Sequence, residues 1–354
     1  MGAVPFLGVA AAARWVARRG PERLLADLGD RLQRDLARWE SFELRPRLAS
    51  HTAEGVVELM PVRDGDRFAF KYVNGHPGNP ARGLQTVAAF GVLADVRTGY
   101  PLLVAEMTLL TALRTAATSA LAARLLARAD ASSTALLGTG AQAEFQALAL
   151  RRALGVERVR AWDADPLALA KFAAHARALG FDVSLADDAA DAVRGADVVT
   201  TCTADKRRAV VLPDALVADG VHLNAIGGDC PGKTELDPRT VARARVFVEH
   251  EPQTRVEGEI QQLAPDFPVT ELWRVVAGRA PGRTSDAEVT LWDSVGFAVE
   301  DLTVLRLAHD EVVGTDLVVP LDLVAEPDDP KDLFGLVAAA DLRRRPPAAA
   351  AAGR

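Results

Sequence analysis

With 354 residues, 49% of them hydrophobic, the chain has enough apolar material for two ordinary domains. Its net charge of −7 comes from mixed charges with no long basic run, which excludes the clustered positive surface that nucleic-acid phosphates require. Two cysteines, Cys202 and Cys230, are too few for a disulfide framework and fit a reducing cytoplasm.

Val4 to Ala13 is apolar, but no basic residue precedes it, and Arg14, Arg18 and Arg19 follow, the reverse of an export signal. The stretch reads as an amphipathic helix reaching Trp39. No other apolar run approaches the roughly 20 residues that span a bilayer, so a cytoplasmic protein without a membrane partner is expected. Gly55–Val62, Arg67–Val73, Thr86–Asp95 and Leu102–Met107 have strand character, separated by Asp-Gly, Gly-His-Pro-Gly and Thr-Gly turns. Thr108 to Ala127 has helical spacing.

From Ser132 the rhythm changes. Apolar runs at 133–138, 156–162, 182–185, 196–201, 221–226 and 245–248 alternate with helical segments such as 142–154 and 166–179. That alternation implies a parallel sheet covered on both faces. A last run at 287–292 leads into a helix through Ala308. The expected fold is α/β: a substrate-binding α+β domain over residues 1–128, rejoined by 309–340, and a Rossmann domain over 129–308. The Arg-Pro-Ala tail, 341–354, reads as disordered.

Ser133 to Gly138 is a buried strand followed by Thr139-Gly140-Ala141-Gln142-Ala143, a G-x-G-x-x-A pattern opening a helix. Gly138 allows the tight turn, Gly140 lets the backbone approach a pyrophosphate, and a small residue at 143 permits close packing. The phosphates would lie on the free N–H groups of the helix. The second strand ends in Trp162-Asp163, where an acid accepts from the ribose 2′-hydroxyl and disfavours the extra phosphate of NADP. NAD is the expected cofactor.

Three charged residues look out of place in a scaffold. Alternation puts Lys71 on the strand face of Ala69 and Val73, where it must find a counter-charge, snorkel or bind a ligand. Helical spacing stacks Arg114 with Leu110, Ala117 and Leu121; its planar fork suits a phosphate or carboxylate, or a structural salt bridge. Asp229 follows Gly227-Gly228 at the carboxyl end of an apolar strand, where it could move a proton or cap a turn. The six histidines show no metal-ligand spacing.

Several ordered segments resemble the ornithine cyclodeaminase/mu-crystallin family, the cyclodeaminase branch most closely. They include Arg47-Leu-Ala-Ser-His, Glu58-Leu-Met-Pro, Phe70-Lys71-Tyr-Val-Asn-Gly-His-Pro and Ala112-Leu-Arg114-Thr-Ala-Ala-Thr-Ser. They continue with Gly138-Thr-Gly-Ala-Gln, Thr200-Thr-Cys-Thr-Ala-Asp-Lys, Asn224-Ala-Ile-Gly-Gly-Asp229-Cys-Pro-Gly-Lys, Glu251 to Leu263 and Asp293-Ser-Val-Gly-Phe-Ala.

The resemblance implies that Arg47 and Lys71 hold a substrate carboxylate, with Glu58, Met60 and Gly296 in the same pocket. Thr86 and Arg114 would grip the cofactor pyrophosphate. Gly138, Gly140, Ala141, Gln142, Asp163, Thr203, Leu223, Asn224, Ala225, Ile226, Lys233 and Val295 would complete the NAD site, and Asp229 would be the general acid/base. The implied reaction takes L-ornithine to L-proline and ammonia in a homodimer. A ketimine reductase, an amino-acid dehydrogenase or a lysine cyclodeaminase would use the same scaffold. A non-catalytic ligand-binding protein is the alternative from another class.

Overall fold

The computed structural model describes residues 2–204 and 208–344. The chain opens with a strand, β1 (Ala3–Leu7), then two helices, α1 (Val9–Arg19) and α2 (Pro21–Ala37). The sequence reading ran one helix through this whole stretch. Extended backbone at Gly8 ends the strand, and a break at Gly20, with Pro21 opening the next helix, divides the rest. In α2 the buried Leu24, Leu28, Leu32 and Leu36 form one stripe at i, i+4 spacing.

β2 (Phe42–Leu44), β3 (Leu48–His51), β4 (Val56–Asp64), β5 (Arg67–Gly75), β6 (Ala89–Asp95) and β7 (Pro101–Glu106) follow, largely antiparallel. Their period-2 pattern sorts side chains cleanly. β4 buries Val56, Glu58, Met60 and Val62, and β5 buries Ala69, Lys71 and Val73. The hairpin register pairs Met60 with Lys71 and Glu58 with Val73, so polar and apolar inner residues share one surface.

Helix α3 (Thr108–Leu126) is long and apolar enough to cross a bilayer by length and composition, contrary to the sequence expectation. Most of it is buried within the protein, where it serves as a core helix.

The Rossmann part contains β8 (Ser133–Leu137), α4 (Ala143–Leu154), β9 (Arg158–Trp162), α5 (Pro166–Ala178), β10 (Asp182–Leu185), α6 (Ala189–Val193) and β11 (Val198–Thr201). It continues through β12 (Arg208–Leu212), β13 (His222–Ala225), β14 (Thr234–Leu236), α7 (Pro238–Arg243), β15 (Arg245–Val248), α8 (Glu251–Glu257), β16 (Thr270–Glu271), α9 (Leu272–Val276) and β17 (Thr290–Asp293). The sheet order is β10-β9-β8-β11-β13-β17-β15-β16, every pairing parallel; β12 and β14 form a separate pair. Strand order reverses between β8 and β11, the switch point where such sheets open a crevice.

The chain then returns. Helix α10 (Ala298–Val312) packs on β5, α3 and α2, not on the parallel sheet, so the return begins at Ala298 and not at residue 309. Its first eight residues are all buried, which calls for packing on several sides. β18 (Val319–Asp322) pairs antiparallel with β1, and α11 (Leu333–Arg344) ends the described chain. Residues 341–344, expected in a disordered tail, are helical, and the rest of that tail lies outside the described residues.

Candidate active site

A cavity of about 280 Å³ opens where the inner face of the first sheet meets the carboxyl ends of the parallel strands. Its size suits a small molecule. From β4 and β5 come Glu58, Met60 and Lys71, from the connections beside them Arg47 and Thr86, and from α3 Arg114. The opposite wall holds Gly140, Ala141, Gln142, Thr203, Ile226, Asp229, Lys233, Val295 and Gly296.

Lys71 is 1% exposed and bonds Asp301 Oδ1 at 2.9 Å. Burial lowers its ammonium to about 8 against the pull of Asp301, with Arg114 and Arg47 adding repulsion. Arg114 Nη1 meets Glu300 Oε2 at 2.6 Å, and its Nε lies 3.2 Å from Asp301 Oδ1. The two readings of these cations therefore coincide: each has a structural ion pair and each faces the cavity. Both acids occupy the first turn of α10, so the returning helix holds two cations of the first domain.

Arg47 does more than face the cavity. It meets Glu58 at 3.1 Å and Glu257 at 3.3 Å. It also donates to the carbonyls of Val295 at 2.9 Å and Gly296 at 2.6 Å, clasping the two domains. Burial, with Glu58, Asp229 and Glu249 adding repulsion against the pull of Arg47, pushes Glu257 up to about 7.

On the Rossmann side, Gly138 has φ +100°, and a Cβ there would stand 2.8 Å from the carbonyl of Cys202, so the two switch-point strand ends are in contact. Gly140 differs: a Cβ there would meet nothing within 4 Å. Helix α4 begins with no side-chain cap, and the buried Oε1 of Gln142 has no hydrogen-bond partner. An open glycine, uncapped N–H groups and the Arg114 guanidinium together fit a dinucleotide pyrophosphate.

Asp163 sits outside the central cavity, at the end of β9. It accepts from Thr139 N at 2.5 Å, Thr139 Oγ1 at 2.8 Å and Asp165 N at 2.9 Å. Those bonds aim it at the outer end of the glycine loop, where an adenosine ribose would lie.

Leu223, Asn224 and Ala225 do not line the cavity. They are fully buried within β13 between β11 and β17, and only Ile226, beyond the strand, reaches the cavity. The side chain of Asp229 is half exposed, and Lys233 Nζ, itself buried, stands 3.3 Å from it and 3.1 Å from the carbonyl of Thr203.

Sequence reasoning missed the acids behind these groups: Glu235, Glu249, Glu257, Glu259, Glu300 and Asp301. Glu249 accepts from Ser294 Oγ at 2.5 Å and Gly296 N at 3.0 Å, fixing the loop that carries Val295. One signal was visible, the adjacent Glu300-Asp301 among the largely apolar residues that open α10.

The sequence pattern of the ornithine cyclodeaminase/mu-crystallin family matches residues 12–316. An ornithine cyclodeaminase of Agrobacterium fabrum is 54% identical over 342 residues, covering 97% of this chain and 96% of its own. A lysine cyclodeaminase, solved for its recognition of L-lysine, L-ornithine and L-2,4-diaminobutyric acid, superposes with a TM-score of 0.87 at 36% identity. It covers 94% of this chain and 99% of its own. An archaeal alanine dehydrogenase dimer with bound NAD superposes with a TM-score of 0.81 at 31% identity, over 90% of this chain and 99% of its own. This chain belongs to the ornithine cyclodeaminase/mu-crystallin family.

Proposed function

We propose that the protein is an NAD-dependent ornithine cyclodeaminase, converting L-ornithine to L-proline and ammonia. The observation that carries this reading is the convergence of Arg47, Lys71 and Arg114 on one cavity wall opposite Asp229 on the other. Cations on one side suit the carboxylate of an amino acid, and Glu58 suits a second amine. Gly140, Gln142 and Arg114 would hold the pyrophosphate, and Asp163 the ribose. When bound, NAD would supply a hydride acceptor for the α-carbon and, reduced, a hydride donor to it.

The protein's own groups manage protons and position. Lys71 and Arg47 fix the substrate carboxylate, which orients the α-carbon toward the Rossmann wall. Asp229 accepts the proton shed by the α-amine as that carbon becomes an imine. Attack by the neutral δ-amine closes the ring, and Asp229 hands a proton to the departing ammonia. Lys233, 3.3 Å away, pairs with the ionised Asp229 before the first transfer and after the last. Hydride leaves and returns within one turnover, so no net oxidation occurs.

A homodimer accompanies this reading. The outer face of the first sheet exposes Leu48, Leu59 and Phe90, with Phe90 stacked on Tyr72 at 5.1 Å. Such an apolar sheet face is suited to cover by a second copy.

Incubation of purified protein with NAD and α-deuterated ornithine tests the reaction. Proline and ammonia are expected, with deuterium retained in proline and no NADH accumulating. NADH formed in step with substrate loss, or deuterium lost to solvent, overturns it. Preferred turnover of lysine over ornithine would reassign the substrate.

A further inference from the structure

The loop presenting Asp229 rests on buried carboxylates. A Cβ at Gly228 would stand 2.7 Å from Oε1 of Glu259, and one at Gly227 would overlap the carboxylate of Glu235. Neither acid is free to move aside. Glu259 Oε1 accepts from Glu235 N at 2.7 Å and its Oε2 from Leu236 N at 3.0 Å, which locks it to β14. Glu235 Oε1 accepts from Thr203 N at 2.7 Å. Asp293, at the end of β17, accepts from the N–H groups of Glu259 at 2.9 Å and Ile260 at 3.0 Å.

These contacts close a circuit. Asp229 meets Lys233, Lys233 bonds the Thr203 carbonyl, Thr203 bonds Glu235, Glu235 bonds Glu259, and Glu259 lies under Gly228, the neighbour of Asp229. Two glycines alone would leave the loop many conformations. Packed against fixed oxygens, they leave it one. Burying acids is costly, and apolar side chains would fill the same volume more cheaply. An arrangement this costly beneath a proton-transfer group is explained by the placement it enforces.

We propose that Glu259 and Glu235 are positioning residues that set the height and direction of Asp229 above the cavity floor, with Asp293 anchoring Glu259. This inference rests on the assignment of proton transfer to Asp229. Glu259→Gln replaces one acceptor oxygen by an amide nitrogen that cannot accept from a backbone N–H. Gly228→Ala tests the same contact from the loop side.

The experiment is a double-mutant cycle in the full-length protein, measuring kcat and KM for ornithine, NAD affinity by titration, and thermal midpoint. Glu259→Gln is expected to lower kcat about tenfold, with KM and NAD affinity within about threefold of the parent. Placed on Asp229→Asn, it is expected to cost less than about twofold more, since the group it positions is already disabled. Gly228→Ala is expected to follow the same pattern and serves if Glu259→Gln does not fold. If Asp229→Asn alone keeps near-normal turnover, the proton-transfer assignment falls and the positioning role falls with it. If Asp229→Asn is impaired but the losses multiply, the positioning role alone is overturned.

Discussion

The two walls of the cavity are made rigid by different chemistry. On the first-sheet wall, side-chain cations are held by side-chain anions that arrive from α10, as in Lys71–Asp301 and Arg114–Glu300. On the Rossmann wall, backbone N–H groups of loops are held by buried carboxylates, as in Thr203–Glu235 and Gly296–Glu249. The first arrangement fixes charge where a charged ligand must be recognised. The second fixes the chain path, leaving Asp229 half exposed and able to exchange protons. Recognition and proton transfer thus have separate supports, and they can be broken separately.

The largest effect is expected from the first wall. Asp301→Ala leaves Lys71 and the Nε side of Arg114 short of a buried counter-charge, and should destabilise the protein by about 3–5 kcal/mol. Denaturant titration measures this; a loss under about 1 kcal/mol would mean that Asp301 is dispensable to both cations. Asp229→Asn should do the opposite: folding and NAD affinity hold while turnover falls about 100-fold. Unfolding, or loss of NAD, would show instead that the loop belongs to the scaffold.

A smaller effect tests the outer end of the glycine loop. Asp163→Ser should narrow the preference for NAD over NADP about tenfold, read by titrating both cofactors. Unchanged preference would remove Asp163 from the ribose site.

The smallest concerns pH. Glu257 in the folded protein is pushed up to about 7, above its unfolded value, so the fold favours its protonated form. Its contribution to stability is present in full below the unfolded value and is lost as pH rises through about 7. The thermal midpoint should therefore fall between pH 5 and pH 7 by more in the parent than in Glu257→Gln; parallel curves would remove Glu257 as a source of that slope.

The contrast between the walls also explains what the sequence made legible. Apolar runs and turn signals located the strands of both sheets because periodicity is local. Lys71 and Arg114 stood out because a cation on an apolar face is a local anomaly. Their partners did not, since Lys71 and Asp301 are 230 residues apart. The family resemblance implies Leu223, Asn224 and Ala225 in the cofactor site, but it carries no information on how deeply a strand lies in its sheet. Only the register of β13 between two strands shows that they are enclosed. The opening strand was missed because Ala3–Leu7 and the helix after it share one apolar composition. Pairing with β7 and β18 distinguishes them.

The return of α10 to the first domain has a consequence for synthesis. Lys71 leaves the ribosome 230 residues before Asp301. At roughly 5–20 residues per second, that interval is on the order of 10–50 s. During it, Lys71 on the first sheet, and Arg114 once α3 is made, stand without their acids, and β1 lacks the pairing later provided by β18. The Rossmann segment, complete at β17, can close first. The first domain is therefore the later to mature in a nascent chain, and a chain released before α10 would carry buried cations with no counter-charge, a ready mark for quality control.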